Sequence, residues 1–174
     1  ANNHQGDLEH GLQIINKLSS LQSKFDLNLC IKFQFRQLET FIHSEARNKK
    51  DLPHIPRFIQ TELSRSQYST LHEAAKKAGF STACTPFDEE SVNIIEDMGF
   101  DLLKVASCSA DDYPLLEKVA LTGKPIILST GVAKISEIKT AISLIKDNGN
   151  KKIMIICKLI IIVFIKTINP NFFP

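Results

Sequence analysis

Short apolar runs alternate with amphipathic stretches along most of this chain, and this alternation is the feature that most restricts its fold. Amphipathic stretches of helical spacing that follow short buried strands are typical of βα units and a parallel sheet. The spacing predicts helices over five segments, namely Leu8–Lys24, Gln67–Ala78, Glu89–Met98, Tyr113–Leu121 and Ser136–Lys146. It predicts strands over Leu27–Phe33, Phe80–Cys84, Leu102–Ala106, Pro125–Leu128 and Ile153–Cys157. The sequence therefore predicts an α/β protein.

The ends of the predicted helices carry residues that suit helix termini. Asp7 and Ser136 are predicted N-caps, because their side chains can accept hydrogen bonds from free backbone amides. Gly79 and Gly99 follow predicted helices directly, where glycine ends a helix at low steric cost.

Two segments depart from the alternation. Phe35–Ser64 is polar, contains Pro53 and Pro56, and has a basic cluster over residues 47–50. We predict a long excursion between a strand and a helix, of the kind that covers an active site. Lys158–Pro174 is rich in Ile, Phe, Lys and Asn without a polar face, and we expect an aberrant hydrophobic tail. A membrane span is the lesser alternative there, since it needs about 18–20 apolar residues.

Chain length limits how much of a barrel these units can build. The chain has 174 residues, whereas a closed (β/α)₈ barrel typically needs about 250. The end of a sixth strand is predicted at Ala1. We therefore expect a partial TIM (β/α)₈ barrel of about five to six βα units that is not closed. Residues 1–157 would form this domain, followed by the tail over residues 158–174.

Charge and cysteine usage exclude several classes of function. The formal net charge of +2 is too small to indicate binding to nucleic acid or to a membrane surface. None of the four cysteines forms a C-x-x-C pair, which argues against a zinc knuckle or a redox motif. The polar residues before the first helix do not resemble a signal peptide. We therefore expect a cytoplasmic protein with free thiols.

Polar side chains collect at the carboxyl ends of the predicted strands, where ligands bind in βα folds. Lysine supplies a point charge, and hydroxyls and turn amides supply directed donors, so these ends predict a site for a small anion. Ser-Thr-Gly after a strand is a natural oxyanion or phosphate turn. The residues concerned are Asn3, His4, Lys32, Gln34, Thr85, Lys104, Ser107, Ser129, Thr130 and Gly131.

Each of these residues also has a purely structural explanation. A lysine in an apolar strand can extend to the rim without binding anything, and Ser-Thr-Gly occurs in many turns. His4 is more commonly a hydrogen-bonded loop histidine than a base or a metal ligand. Two lysines at equivalent positions of different strands, Lys32 and Lys104, nevertheless favour a binding site.

Five short motifs follow one another at sensible distances along residues 1–157. They are Asn3-His4-Gln5-Gly6-Asp7, Lys32-Phe33-Gln34, Thr85-Pro86-Phe87-Asp88, Lys104-Val105-Ala106-Ser107, and the run from Gly123 to Gly131 that ends in Ser129-Thr130-Gly131. With these motifs the chain resembles the N-acetylneuraminate (sialic acid) synthases, including the synthases of legionaminic and pseudaminic acid.

The resemblance implies a (β/α)₈ barrel that condenses phosphoenolpyruvate with N-acetylmannosamine, or a related N-acetylated hexose, to a nonulosonic acid and phosphate. It implies a homodimer assisted by Mn²⁺ or Mg²⁺. It further implies that phosphoenolpyruvate is bound by Lys32, Thr85, Lys104, Ser107 and Ser129. The same rim would be lined by Asn3, His4, Gln34, Thr130 and Gly131.

The sequence departs from the family near its last predicted strand. The family continues there into a His-Cys pair, an Asn and a Tyr-Pro, whereas here Ile156 precedes Cys157 and Lys158 follows. The segments that carry the metal-binding histidines of the family are absent from the sequence. We therefore expect an inactive fragment that binds no metal and to which no catalytic residue is assigned.

Two other interpretations remain open. An aldolase-type barrel enzyme that uses phosphoenolpyruvate or a phosphosugar would employ a lysine as a Schiff base. A non-catalytic, degenerate barrel would only bind a ligand or a partner chain through its exposed apolar surface.

Overall fold

Five parallel strands form the centre of the protein in a computed structural model that describes residues 3–47, 49, 52, 54–131 and 133–156. The strands lie side by side in chain order, so each pairs with the next along the chain. A doubly wound sheet would reverse its order at a switch point, whereas sequential order is that of a barrel. The strands are β1 (Cys30–Phe35), β2 (Ser81–Pro86), β3 (Leu102–Val105), β4 (Ile126–Ser129) and β5 (Ile153–Ile156).

The helices connect these strands and carry the predicted caps, with one exception. They are α1 (Leu8–Phe25), α2 (Leu38–Phe41), α3 (His54–Gln60), α4 (Arg65–Lys77), α5 (Glu89–Asp97), α6 (Tyr113–Leu121) and α7 (Ile135–Asp147). The Asp7 carboxylate accepts a hydrogen bond of 3.0 Å from the His10 amide, as predicted. Ser136 is not the cap of α7, because the helix already begins at Ile135. The Glu137 carboxylate instead accepts a bond of 2.8 Å from the Lys134 amide.

The first strand begins three residues later than predicted. Helix α1 ends at Phe25 and is capped by Asp26, which takes the left-handed conformation with φ of 49°. Gln22 then holds the connection, because its carbonyl accepts from the Leu27 amide at 3.0 Å and its side-chain oxygen accepts from the Leu29 amide at 3.1 Å. Backbone donors used in this way are not available to a sheet. The ladder therefore starts at Cys30, which pairs with Ser81.

The long excursion between β1 and α4 contains more regular structure than predicted. It forms the short helices α2 and α3 and a 3₁₀ turn over Ser44–Ala46. Aromatic contacts hold it against the sheet, with ring centroids 6.0 Å apart for Phe41 and Phe58 and 6.2 Å apart for Phe41 and Phe87. Within the predicted basic cluster and its flank, Asn48, Lys50 and Pro53 lie outside the described residues.

The core lies between one face of the sheet and the longer helices. The register places Phe33 beside Cys84, Cys84 beside Leu103 and Leu103 beside Ile126, and all four are buried in one cluster with residues of α1 and α4–α7. Side chains alternate between the two faces of a strand, so the neighbouring residues of each strand point away from these helices. Among the described residues the longer helices pack against this one face, and we call the opposite face the open sheet face. Five parallel strands in sequential order confirm the prediction of an unclosed α/β barrel segment.

The predicted strand end at Ala1, Cys157, and the tail over residues 158–174 lie outside the described residues. In the part of the chain that the structure describes, no helix combines the length and the apolar character needed to cross a membrane.

Candidate functional site

The sheet face that points away from the helices carries most of the polar residues predicted from the strand ends. Lys32 and Gln34 alternate with the core residues Phe33 and Phe35 along β1. Gln34 pairs with Thr85 of β2, and the register of Cys84 with Leu103, continued by one residue, brings Thr85 beside Lys104. Neighbouring strands are about 4.8 Å apart, so these residues form a continuous polar row across three strands.

Ser129 extends this row to β4. Lys104 pairs with Ile127, and Ser129 stands two residues further on, on the same face of β4. It pairs with Ile156 of β5 and is half-buried. The structure thus brings Lys32, Thr85, Lys104 and Ser129 to one face of the sheet.

Thr85 is the most enclosed polar residue of the row. Its side chain has 0% exposure, and its Oγ1 has no hydrogen-bond partner within the described residues. A buried hydroxyl without a partner costs free energy, so such atoms are rare in folded proteins. A bound ligand that accepts a hydrogen bond from this hydroxyl would satisfy it.

The two lysines lie within electrostatic reach of each other. Burial lowers the pKa of Lys104, and the positive charge of Lys32 lowers it further. Burial also lowers the pKa of Lys32. Two half-buried ammonium groups that repel each other favour an anion between them.

The turns that follow β3 and β4 meet at the end of the row. Ser107 begins the 3₁₀ turn Ser107–Ser109, directly beyond β3. Gly131 has a φ of +38°, and a Cβ atom at this position would lie 2.7 Å from the Ser107 Oγ. Only glycine allows this approach of the two turns. The third predicted residue here, Thr130, is buried and bonds to the Ile156 carbonyl through its amide at 3.1 Å and its hydroxyl at 3.4 Å.

Asn3 and His4 lie in the turn before α1 and do not belong to the polar row of the strands. Asn3 is exposed. His4 is buried, which lowers its pKa, and its Nδ1 accepts a bond of 3.1 Å from the Gly6 amide. The His4 ring lies 6.0 Å from the Tyr68 ring, and the Tyr68 hydroxyl donates to the Gln34 carbonyl at 2.8 Å. His4 is thus a hydrogen-bonded turn residue that reaches β1 through Tyr68.

Arg36 belongs to this rim and was not among the predicted residues. Its Cζ lies 3.9 Å from the centre of the Phe87 ring and 4.5 Å from that of Phe58. The sequence carries only a weak signal for it, because Arg36 continues the two-residue spacing of Lys32 and Gln34 but lies one residue beyond the end of β1.

The rim does not suit the divalent metal that the family resemblance implies. Residues 3–47, 49, 52, 54–131 and 133–156 contain no group of three or more His, Cys, Asp or Glu side chains placed to hold a metal ion. The side chains that converge are ammonium groups and hydroxyls, whereas Mn²⁺ and Mg²⁺ prefer carboxylates, carbonyls and water. This arrangement can neutralise a small phosphorylated anion and direct hydrogen bonds to it.

Comparison with known proteins relates this chain to a family. A family model described as the NeuB family matches residues 23–159, more than half of the chain. An uncharacterised protein of Methanocaldococcus jannaschii is 35% identical over 88% of this chain and 42% of its own length. The N,N'-diacetyllegionaminic acid synthase of Campylobacter jejuni is 30% identical over 86% of this chain and 46% of its own. The chain thus spans less than half the length of these relatives.

Solved structures show the same fold. A putative spore coat polysaccharide biosynthesis protein E of Chromobacterium violaceum superposes with a TM-score of 0.85 at 39% identity, over 90% of this chain and 46% of that protein. The sialic acid synthetase of Leptospira borgpetersenii, solved with citrate, superposes with a TM-score of 0.74 at 30% identity, over 90% of this chain and 50% of that one.

Proposed function

The chain belongs to the NeuB family, and from this premise we propose that residues 3–156 form the phosphoenolpyruvate-binding half of a synthase of sialic-acid type. The unpartnered, buried hydroxyl of Thr85 beside two half-buried lysines carries the proposal. Phosphoenolpyruvate carries about three negative charges, two on its phosphate and one on its carboxylate. Lys32 and Lys104 neutralise these charges, and the hydroxyls of Thr85, Ser107 and Ser129 donate hydrogen bonds to the oxygens.

The complete reaction would join phosphoenolpyruvate to the open-chain aldehyde of an N-acetylated hexose. The methylene carbon of the enol phosphate forms a bond to the aldehyde carbon, and the aldehyde oxygen takes up a proton. Water adds to the former enol carbon, and the resulting tetrahedral centre expels inorganic phosphate. The residues of this chain contribute by holding the phosphate and carboxylate in place while charge moves. We assign none of the described residues to binding the metal of the family or the sugar.

A thermal-shift measurement on the 174-residue chain tests the binding claim. Phosphoenolpyruvate at about 100 times its dissociation constant stabilises a folded protein by about 2.7 kcal/mol, which corresponds to about 5–10 °C for a chain of this size. Pyruvate, which lacks the phosphate, serves as the control and is expected to shift the midpoint much less. An unchanged midpoint in saturating phosphoenolpyruvate would contradict the proposal.

A phosphate-release assay tests whether the chain forms only the phosphoenolpyruvate-binding half of the site. The chain spans less than half of its relatives, so we expect no steady release of phosphate from phosphoenolpyruvate and N-acetylmannosamine. Robust turnover by the purified chain would show that the site is complete and would overturn this part of the proposal.

One observation favours a second candidate function. Burial lowers the pKa of both Lys32 and Lys104, and a lowered pKa activates lysine as a Schiff-base nucleophile. An aldolase-type reaction would leave a stable adduct after borohydride reduction in the presence of pyruvate. The synthase proposal predicts no such adduct by mass spectrometry.

A further inference from the structure

Arg36 is held in place by aromatic rings from two different segments. Phe58 comes from α3 in the excursion after β1, and Phe87 follows β2 directly. The guanidinium carbon lies 4.5 Å from the first ring centre and 3.9 Å from the second. Such stacking orients a guanidinium group without using its N–H donors. The position of Arg36 is therefore set by contacts that leave its hydrogen-bonding capacity for another group.

No carboxylate of the described residues forms a salt bridge with Arg36. The salt bridges of the described part of the chain join other residues, and the Nε of Arg36 is buried without a hydrogen-bond partner. Asp88 is the carboxylate whose charge acts on Arg36. Its oxygens accept hydrogen bonds from the Ser91 amide and hydroxyl and from the Gln37 amide. Glu62 lines the same small cavity as Arg36 without an ion pair between them.

Arg36 follows directly after β1, the strand that carries Lys32. Lys32 and Gln34 lie on the open sheet face of β1, Arg36 comes one residue beyond the end of the strand, and the charge of Arg36 acts on Lys32. Cys108, just beyond β3, interacts electrostatically with both Arg36 and Lys104. Arg36 and Lys104 are therefore both within electrostatic reach of Lys32.

We propose that Arg36 is a third cationic residue of the phosphoenolpyruvate site, and that its guanidinium binds the carboxylate while the lysines bind the phosphate. The inference rests on the proposed function and adds a residue to it. The ligand carries about three negative charges, and three cations would match them. The planar fork of arginine suits the two oxygens of a carboxylate, whereas lysine acts on phosphate as a point charge.

Calorimetric titration of the 174-residue chain with phosphoenolpyruvate and, separately, with inorganic phosphate tests this assignment. Arg36→Gln is expected to weaken the binding of phosphoenolpyruvate about tenfold or more, since a charge-assisted hydrogen bond is lost. The affinity for inorganic phosphate, which has no carboxylate, should change by less than about twofold. The matched control is Arg57→Gln, which removes an exposed arginine of α3 and should leave both affinities unchanged.

Three outcomes would overturn the assignment. The first is an Arg36→Gln variant that binds phosphoenolpyruvate as the wild type does. The second is an equal loss of both ligands, which would indicate a structural role for Arg36. The third is a wild-type chain that does not bind phosphoenolpyruvate, which would also overturn the proposed function. If circular dichroism shows that Arg36→Gln does not fold, Arg36→Lys decides the question by the same comparison, because it keeps the charge but not the fork.

Discussion

Thr82 and Thr85 are buried threonines of the same strand with opposite surroundings. Thr82 donates its hydroxyl to Asp101 at 2.9 Å and lies 3.1 Å from the Nε2 of His72. Thr85 has no hydrogen-bond partner among the described residues. A hydroxyl with good partners stabilises the fold, whereas a buried hydroxyl without one is tolerated where a ligand uses it.

Replacement of each threonine by valine, which has nearly the same shape, separates stability from binding. Thr85→Val should leave the free energy of unfolding unchanged or slightly raised, while phosphoenolpyruvate binds about tenfold more weakly. Thr82→Val should lower the free energy of unfolding by about 1–3 kcal/mol, because Asp101 and His72 lose a buried partner. Urea unfolding and calorimetry measure the two quantities. A Thr85→Val variant that is strongly destabilised would contradict the view that its hydroxyl serves a ligand.

At the scale of elements, the contact between the turns after β3 and β4 sets the shape of the rim. Gly131 combines a positive φ with direct contact to Ser107, whereas Gly149, with φ of +85°, has open space where a Cβ would lie. Gly149→Ala therefore experiences backbone strain alone, about 1–2 kcal/mol. Gly131→Ala experiences similar strain and also displaces Ser107.

We expect the two glycine variants to differ in how tightly they bind phosphoenolpyruvate. Gly131→Ala should weaken the binding of phosphoenolpyruvate, since Ser107 moves with its turn, and should destabilise the chain more than Gly149→Ala does. Gly149→Ala should bind the ligand normally. Melting temperature and calorimetric affinity check both statements. Equal affinities for the two variants would show that the Ser107 turn is not part of the binding rim.

A second polar network joins β2, β3 and α4 at the amino ends of the strands. Asp101 accepts bonds from the Thr82 amide at 2.7 Å and from Lys76 at 2.7 Å. Burial alone would raise the pKa of Asp101, but the hydrogen bonds from Lys76 and Thr82 outweigh it and hold the pKa below its ordinary value of 3.8. A carboxyl with a lowered pKa in the folded state stabilises the fold above its unfolded pKa. This contribution is lost as pH falls through the lowered value.

Asp101→Asn should therefore be less stable than the wild type at pH 7, and the difference should shrink between pH 4 and pH 2. Urea denaturation at pH 7, 4 and 3 measures it. A difference that does not change with pH would mean that the charge of Asp101 contributes nothing to stability.

At the scale of the whole molecule, the sequence predicted most of the fold because helical and strand periodicities are regular after Ser64. The predicted bounds of α6 match the structure, and those of β2, β3 and β4 differ by no more than two residues at either end. The predicted start of β1 was wrong because the backbone carbonyl of Gln22 binds the Leu27 amide and its side-chain oxygen binds the Leu29 amide, contacts that strand periodicity does not reveal. The helices of the excursion are short and depend on aromatic contacts such as that of Phe41 with Phe87, which no local pattern reveals.

The candidate site was predictable to a similar extent. Strand ends converge in any parallel sheet, so Lys32, Lys104 and Thr85 could be grouped before the structure was known. Arg36 could not be placed in the same way, because its contacts with Phe58 and Phe87 arise from tertiary structure. The absence of a partner for the Thr85 hydroxyl is likewise visible only in three dimensions.

We propose that the open sheet face binds one phosphorylated anion between Lys32 and Lys104. Calorimetric titration of phosphoenolpyruvate into the wild-type chain and into the double variant Lys32→Gln/Lys104→Gln tests this most directly. A Lys77→Gln/Lys139→Gln double variant, which alters an exposed lysine of α4 and one of α7, controls for the same change in net charge. We expect saturable binding by the wild type and the control, and no measurable binding by the Lys32→Gln/Lys104→Gln variant. Equal binding by all three chains, or none by the wild type, would contradict a common anion site on this face.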